Sequence, residues 1–207
     1  MSGSAGDVVA ELVAYLADPT NAEPSVSFPL VPSRANHPGL YAWWADSDGL
    51  AVLSTPFGKP LKPLIYAGQA GATSTTVGKR SSATLRSRIR ANHLSGNVAA
   101  STFRATLTAV LREPLSLHVA MPPQLDKTSN LALSKWMRQH LRVAILPFDD
   151  RDGLAAVERA VLATLDPPLN LMGMPPTAIR HTLGELRSSL KTPTPLKSAP
   201  EDDAKPS

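Results

Sequence analysis

Apolar residues recur at helical spacing near the start of the chain, in "SAGDVVAELVAYLADP" (4–19), which predicts an amphipathic helix ended by Pro19. Residues 20–36 are Pro-rich and predict irregular backbone. The pattern then tightens into "GLYAWWAD" (39–46), an aromatic and apolar run that predicts a strand closed by Asp-Ser-Asp-Gly turn residues. Residues 47–61 carry Gly and Pro and predict a loop, with "LAVLS" as a candidate short extra strand. "PLIYAG" (63–68) predicts the second strand. Helical spacing returns in "SATLRSRIRANHL" (82–94) and in "STFRATLTAVLR" (101–112), where Ser101 is a suitable cap and Phe103, Leu107 and Val110 share a face. A further helix at about 129–140 buries Leu133, Trp136 and Met137. "LRVAILPF" (141–148) predicts a third strand. Asp149 or Asp150 then caps a helix running to about Leu165, before Pro167 and Pro168, and a last helix fits about 175–190. The tail from 191 is Pro-rich and polar, which predicts disorder. Strands mixed with helices in this way imply an α+β fold.

Some residues break these patterns. On a helix beginning after Asp150, Glu158 falls about 40° from Leu154, inside the stripe made by Leu154, Val157, Val161 and Leu165. A carboxylate facing a core is costly unless it is protonated, paired or bound to a metal. A structural ion pair with an arginine and a functional site both satisfy that condition. In the 82–94 helix, Leu85 and Ile89 define the buried stripe and Asn92 falls near its centre. Arg88 and His93 flank the stripe on opposite edges, while Arg86 and Arg90 point outward. In "KPLIYAGQAG", a strand ends on Tyr66 and is followed at once by small residues. That is either a buried edge tyrosine before a turn, or a hydroxyl at the mouth of a site where Gly68 gives room to something large.

Composition narrows the chemistry. The chain has 207 residues and no Cys, so it has no disulfide, thiol nucleophile or thiolate metal site. The N-terminus carries no signal-peptide pattern and no run reaches membrane-spanning length, so a soluble, cytoplasmic protein is expected. Net charge is only +4, but Gly49 to Arg112 contains no Asp or Glu. The same span holds Lys59, Lys62, Lys79, Arg80, Arg86, Arg88, Arg90, Arg104 and Arg112. Such a region suits a polyanion, although a solvated basic face without a partner has the same composition.

The pieces in order resemble the GIY-YIG nuclease superfamily. Gly39-Leu40-Tyr41 is similar to its first motif and Tyr66-Ala67-Gly68 to its second. Leu85-Arg88-Ile89 fits the frame around the family's arginine, Glu158 the later metal-binding glutamate, and Asn170 in "DPPLN" the closing asparagine. The two tyrosines stand 25 residues apart, an inserted loop that resembles the restriction-enzyme branch. Many members carry a His or Tyr four residues after the arginine. Asn92 holds that place here and His93 is one further on, so either a π-bulge brings His93 into line or Asn92 faces the site.

The resemblance implies a small three-stranded antiparallel sheet flanked by helices, formed by 39–45, 63–68 and 141–147. It implies an N-terminal helix and linker (1–35), a nuclease domain (36–172), a C-terminal helix (173–190) and a tail (191–207). It implies Mg²⁺-dependent hydrolysis of DNA phosphodiester bonds, or use of another divalent cation such as Mn²⁺, with no small-molecule cofactor and no membrane. Glu158 would hold the metal and Arg88 the phosphate. Tyr41 would orient or deprotonate the water, helped by cationic neighbours or His93, and Tyr66 would bond the phosphate or the water. Gly68, Arg86, Arg90, Arg104 and Asn170 would line or support the substrate path. A catalytically silent nucleic-acid-binding protein on the same scaffold is the alternative, and the basic segment suits both. An ion pair of Glu158 with Arg88 in a protein-interaction module is a third reading.

Overall fold

A computed structural model describes residues 5–73 and 81–191. Lys79, Arg80 and the tail from 192 lie outside the described residues. The elements run α1 (Ala5–Ala17), β1 (Ala22–Pro24), α2 (Pro32–Ala35), β2 (Gly39–Ala45), α3 (Ser47–Ser54) and β3 (Leu64–Ala70). A π-helix (Ser87–Leu94) follows, then α4 (Thr102–Leu111), the hairpin β4 (Val119–Met121) and β5 (Gln124–Leu125), α5 (Lys127–His140), β6 (Leu141–Pro147), α6 (Leu154–Leu165) and α7 (Ala178–Ser189). No described helix is long and apolar enough to cross a membrane.

The α+β architecture is the expected one, with one strand more in the main sheet than predicted and a separate two-stranded hairpin, β4-β5. The main sheet has order β1-β6-β2-β3, and every pairing in it is antiparallel. The added edge strand β1 lies in the Pro-rich segment read as irregular. It is only three residues long and ends on Pro24, so it shows none of the alternation that marks a strand.

Register decides which side chains meet. Tyr41 lies opposite Gly68 and Ile145, and Trp43 opposite Tyr66 and Val143. Leu40 and Ala42 face the other way with Ala67, Ala144 and Leu146. The first face packs against Leu85, Ile89 and Leu94, against Phe103 and Leu107 of α4, and against Leu133, Trp136 and Met137 of α5. The second is covered by Leu16 of α1 with Leu154 and Val161 of α6. The sheet is therefore the middle of three layers, with both faces covered by helices.

Two segments differ from their sequence reading at the local level. Residues 47–54 form α3 because Asp46 is an N-cap rather than a turn residue, its Oδ1 accepting the Gly49 N–H at 2.7 Å. Helix α6 starts at Leu154, without a side-chain cap. Asp150 Oδ1 instead accepts the N–H groups of Asp152 and Gly153 in the turn just before it.

The outer edge of β3 is closed by side chains and a loop. The Leu169 N–H donates to Ile65 O at 3.0 Å. The Asn170 amide then pairs with both backbone groups of Ala67, accepting its N–H at 3.0 Å and donating to its C=O at 2.8 Å. The loop that presents Asn170 is held by buried Arg180 of α7, which donates to Asn170 O, Pro167 O, Pro175 O and Asp166 Oδ1. Asn170→Ala is therefore expected to leave a buried N–H and C=O without partners. The loss should be roughly 2–6 kcal/mol at about 1–3 kcal/mol per orphaned group, read by denaturant melts. An unchanged midpoint would show that the amide carries no such weight.

Candidate active site

Tyr41, Tyr66, Arg88, His93 and Glu158 come together at the β3 end of the sheet. Tyr41 is almost fully buried, and its hydroxyl lies over Gly68 across the strand pair. A Cβ at Gly68 would stand 2.7 Å from that hydroxyl, so no other residue fits without moving the ring. Gly68 is itself buried and makes room for Tyr41 of the same sheet, which replaces the expectation that it opens the backbone to substrate.

The helix carrying Arg88 and His93 is a π-helix for eight residues, Ser87–Leu94. Its i→i+5 repeat stacks Arg88 with His93 and Ile89 with Leu94, so the residue one place late for an α-helix arrives on the site side. Just before this segment the Leu85 N–H donates to His37 O at 2.9 Å, two residues ahead of β2. His93 is 2% exposed, and its Nε2 lies 2.9 Å from the Tyr41 hydroxyl. Its Nδ1 lies 2.6 Å from Ser101 Oγ, which also accepts the Arg104 N–H at the start of α4. With its proton on Nδ1 the ring donates to Ser101, and Nε2 accepts the Tyr41 O–H. The other tautomer reverses both directions. Phe103 stands edge-on to His93 and lies against Tyr66 at 4.6 Å. Asn92 is half-buried and points to Ala100 O at 3.4 Å, away from the tyrosines.

Electrostatics here are set by burial. Burial pushes the Tyr41 phenol well above its usual value, the Tyr66 and Glu158 charges push the same way, and Arg88 offsets only part. Arg88 alone does not outweigh this burial. Tyr66 is pushed up to about 12 by burial and by Glu158, against Arg187 and Arg88. His93 is pushed down to about 3 by burial, then by Arg88 and Arg104, so it is a neutral imidazole across the working range. Burial also raises the Glu158 carboxyl, against the Gln69 N–H and the charges of Arg88 and Arg159.

Glu158 stands on α6 in the far layer, where the Gln69 N–H of β3 favours its charged form. That N–H is the next outward-facing backbone group after those closed by Asn170. A carboxylate has about four acceptor positions, which leaves room here for a cation or water. Glu158 and Arg88 influence each other's charge but form no ion pair within the described residues. The Arg88 Nε is buried and has no hydrogen-bond partner there. No group of three or more His, Asp or Glu side chains converges among the described residues. A cation at Glu158 would therefore rest on one carboxylate, water and phosphate oxygens, a donor set that suits a hard ion such as Mg²⁺.

The remaining basic residues divide. Arg86 and Arg90 are exposed and line a groove with Thr84, Ser87, Ala91 and Ser95. Arg104 is fully buried, contrary to the expectation that it meets phosphates. It donates to His93 O at 2.9 Å, to Asn130 O and Oδ1, and to Ser134 Oγ. An arginine has five donors, and a buried one must satisfy them internally. Here they brace the end of the π-helix.

Sequence reasoning passed over Ser101 as a partner of His93, since eight residues and a change of helix separate them. It also passed over Arg187, four residues after the fully buried Leu183 on α7. A charged residue on an apolar stripe is the signal that singled out Glu158, and it marks Arg187 as well.

A family model described as the GIY-YIG catalytic domain matches residues 39–189. No curated protein and no solved structure matches the chain.

Proposed function

The chain belongs to the GIY-YIG catalytic domain family, and from that premise we propose that it is an endonuclease that hydrolyses DNA phosphodiester bonds with a divalent cation, Mg²⁺ or Mn²⁺, on Glu158. The family's activity is of the nuclease type, and its members generally depend on a divalent metal. The observation that carries the reading is Arg88. Its buried Nε lacks a described partner and it stands in the field of Tyr41, Tyr66 and Glu158, as a phosphate ligand would.

In this reading Arg88 holds the scissile phosphate by charge-assisted hydrogen bonds and offsets the charge that builds on it. The Tyr41 oxygen accepts a hydrogen from the attacking water, while its own O–H donates to His93 Nε2. Burial opposes both a free phenolate and a free imidazolium. The proton moves from water to Tyr41 as Tyr41's moves to His93 Nε2, held the acceptor by the Nδ1–H on Ser101, and the imidazolium so formed is offset by the charge building on the phosphate and returns its proton through Tyr41 to water once the product leaves. The half-buried Tyr66 hydroxyl donates to a phosphate oxygen. Asn170 supports the site by keeping the β3 edge in place. A cation bound at Glu158 supplies Lewis-acid polarisation of a phosphate oxygen.

Supercoiled plasmid incubated with the protein is expected to be nicked or linearised with Mg²⁺ and to stay intact with EDTA. Plasmid retarded on a gel but intact with Mg²⁺ and Mn²⁺ would favour a silent nucleic-acid-binding protein on this scaffold. Grip and chemistry should also separate. Losing Arg86 or Arg90 should weaken DNA binding and lower the slope of log affinity against log salt by about 0.9 per contact. Arg88→Ala should depress turnover far more than affinity. Equal falls in turnover for all three variants would contradict that division.

A further inference from the structure

A second basic cleft adjoins the site on the Tyr66 side. It encloses about 440 Å³ between the start of α4, the hairpin turn and the end of α7. Its walls are Thr102, Pro122, Pro123 and Leu190, and its cations are Arg187 and Lys191. Arg187 is half-buried and Lys191 exposed, and neither has an acidic partner among the described residues. Thr102 immediately precedes Phe103, the residue against which Tyr66 packs at 4.6 Å. The Arg187 guanidinium is close enough for its charge to act on the Tyr66 hydroxyl. A half-buried cation without a counter-charge is costly, and an anion in the cleft would remove that cost.

We propose that this cleft is a subsite for the substrate strand beyond the scissile bond, with Arg187 and Lys191 on the neighbouring phosphate and the prolines and Leu190 against its nucleoside. The proposal rests on the nuclease reading. In this arrangement Arg88 and Arg187, whose charges both act on the Tyr66 hydroxyl, hold two successive phosphates. The scissile bond is thereby set against the tyrosines by position rather than by base identity. The mixed lining suits that task, since cations alone would hold a phosphate without fixing the sugar or base.

The test uses the full chain and its Arg187→Gln/Lys191→Gln variant. One arm measures oligonucleotide binding to each protein across a salt series in Ca²⁺ or EDTA, without turnover. The other measures cleavage of oligonucleotides carrying a single uncharged methylphosphonate at successive positions. The variant should raise KM by about ten- to a hundredfold with kcat within about twofold, and lower the salt slope by about two contacts. One methylphosphonate position next to the cleavage point should cost the wild type a similar factor and cost the variant nothing further. An unchanged KM and slope would overturn the subsite. So would competition by inorganic phosphate with no position-specific methylphosphonate effect, which would mark a site for free anions. If the double variant misfolds, Arg187→Lys and Lys191→Gln give the same reading singly, a slope one contact lower for Lys191→Gln and near wild type for Arg187→Lys. A wild type that binds without cutting defeats the endonuclease reading alone, because the salt series still decides whether Arg187 and Lys191 meet a phosphate.

Discussion

Glu158→Gln is expected to abolish DNA cleavage while leaving the fold and DNA affinity intact. A cation on Glu158 would contribute several kcal/mol of transition-state charge stabilisation, and at about 1.4 kcal/mol per decade its loss means roughly 10²- to 10⁴-fold in rate. No second carboxylate stands ready to take over, since no cluster of acids or histidines forms among the described residues. Stability should move the other way. Burial raises the Glu158 carboxyl above its usual value, so the folded protein holds that proton to higher pH than the unfolded chain does. Between the ordinary glutamate value and the raised one the native state binds more protons, and stability falls as pH rises through that window. In metal-free protein the Glu158→Gln change should therefore be neutral near pH 4 and stabilising near pH 7, relative to wild type. The Gln69 N–H keeps an acceptor in the amide oxygen. A variant that loses activity because it melts earlier at pH 7 would instead mark Glu158 as a structural group. A variant that still cuts at the wild-type rate would remove the catalytic reading.

The strands that build the site were legible because strand alternation is a local property. Tyr41 and Trp43 fall on one face and Leu40 and Ala42 on the other, and the register sets them against β3 and β6. Glu158 was legible for the same reason, as a charge at a position that helix geometry directs inward. Arg104 was not. Its stripe neighbours Phe103 and Leu107 mark one buried face, yet residues 103–111 are buried all round, because α3, α5 and α7 also pack on α4. Periodicity on one helix does not report how many neighbours it acquires. Asp46 failed differently, since Asp-Ser-Asp-Gly is equally good chemistry for a turn and for an N-cap. The position of His93 depended on a change of helix type. The sequence narrowed this to two geometries, and what selects one is tertiary: Arg104 on the His93 carbonyl and Ser101 on its ring. Bonds between separate helices leave no periodic trace in either.

His93→Ala should slow turnover at least tenfold, within the roughly 10²- to 10⁴-fold range of a positioned proton acceptor, and Asn92→Ala should change it by less than about twofold. The geometry separates the two neighbours. His93 Nε2 is 2.9 Å from the Tyr41 hydroxyl, while Asn92 turns to the Ala100 carbonyl. The pH dependence should follow the fold rather than a titration in the active enzyme. His93 sits at about 3 in the folded protein against 6.5 for a free imidazole. Between those values the unfolded chain takes a proton that the native site refuses, so stability rises with pH across the window and is lost on acidification. Each pH unit there removes about 1.4 kcal/mol. The wild type should thus lose activity in acid by unfolding, with the rate falling together with the circular dichroism signal. His93→Ala should flatten that part of the stability curve while staying slow at every pH. Folded wild-type enzyme with a rate inflection near pH 6.5 that His93→Ala removes would contradict the neutral, buried imidazole. The Tyr41–His93 pair would then work as an exposed acid and base rather than as a dry relay.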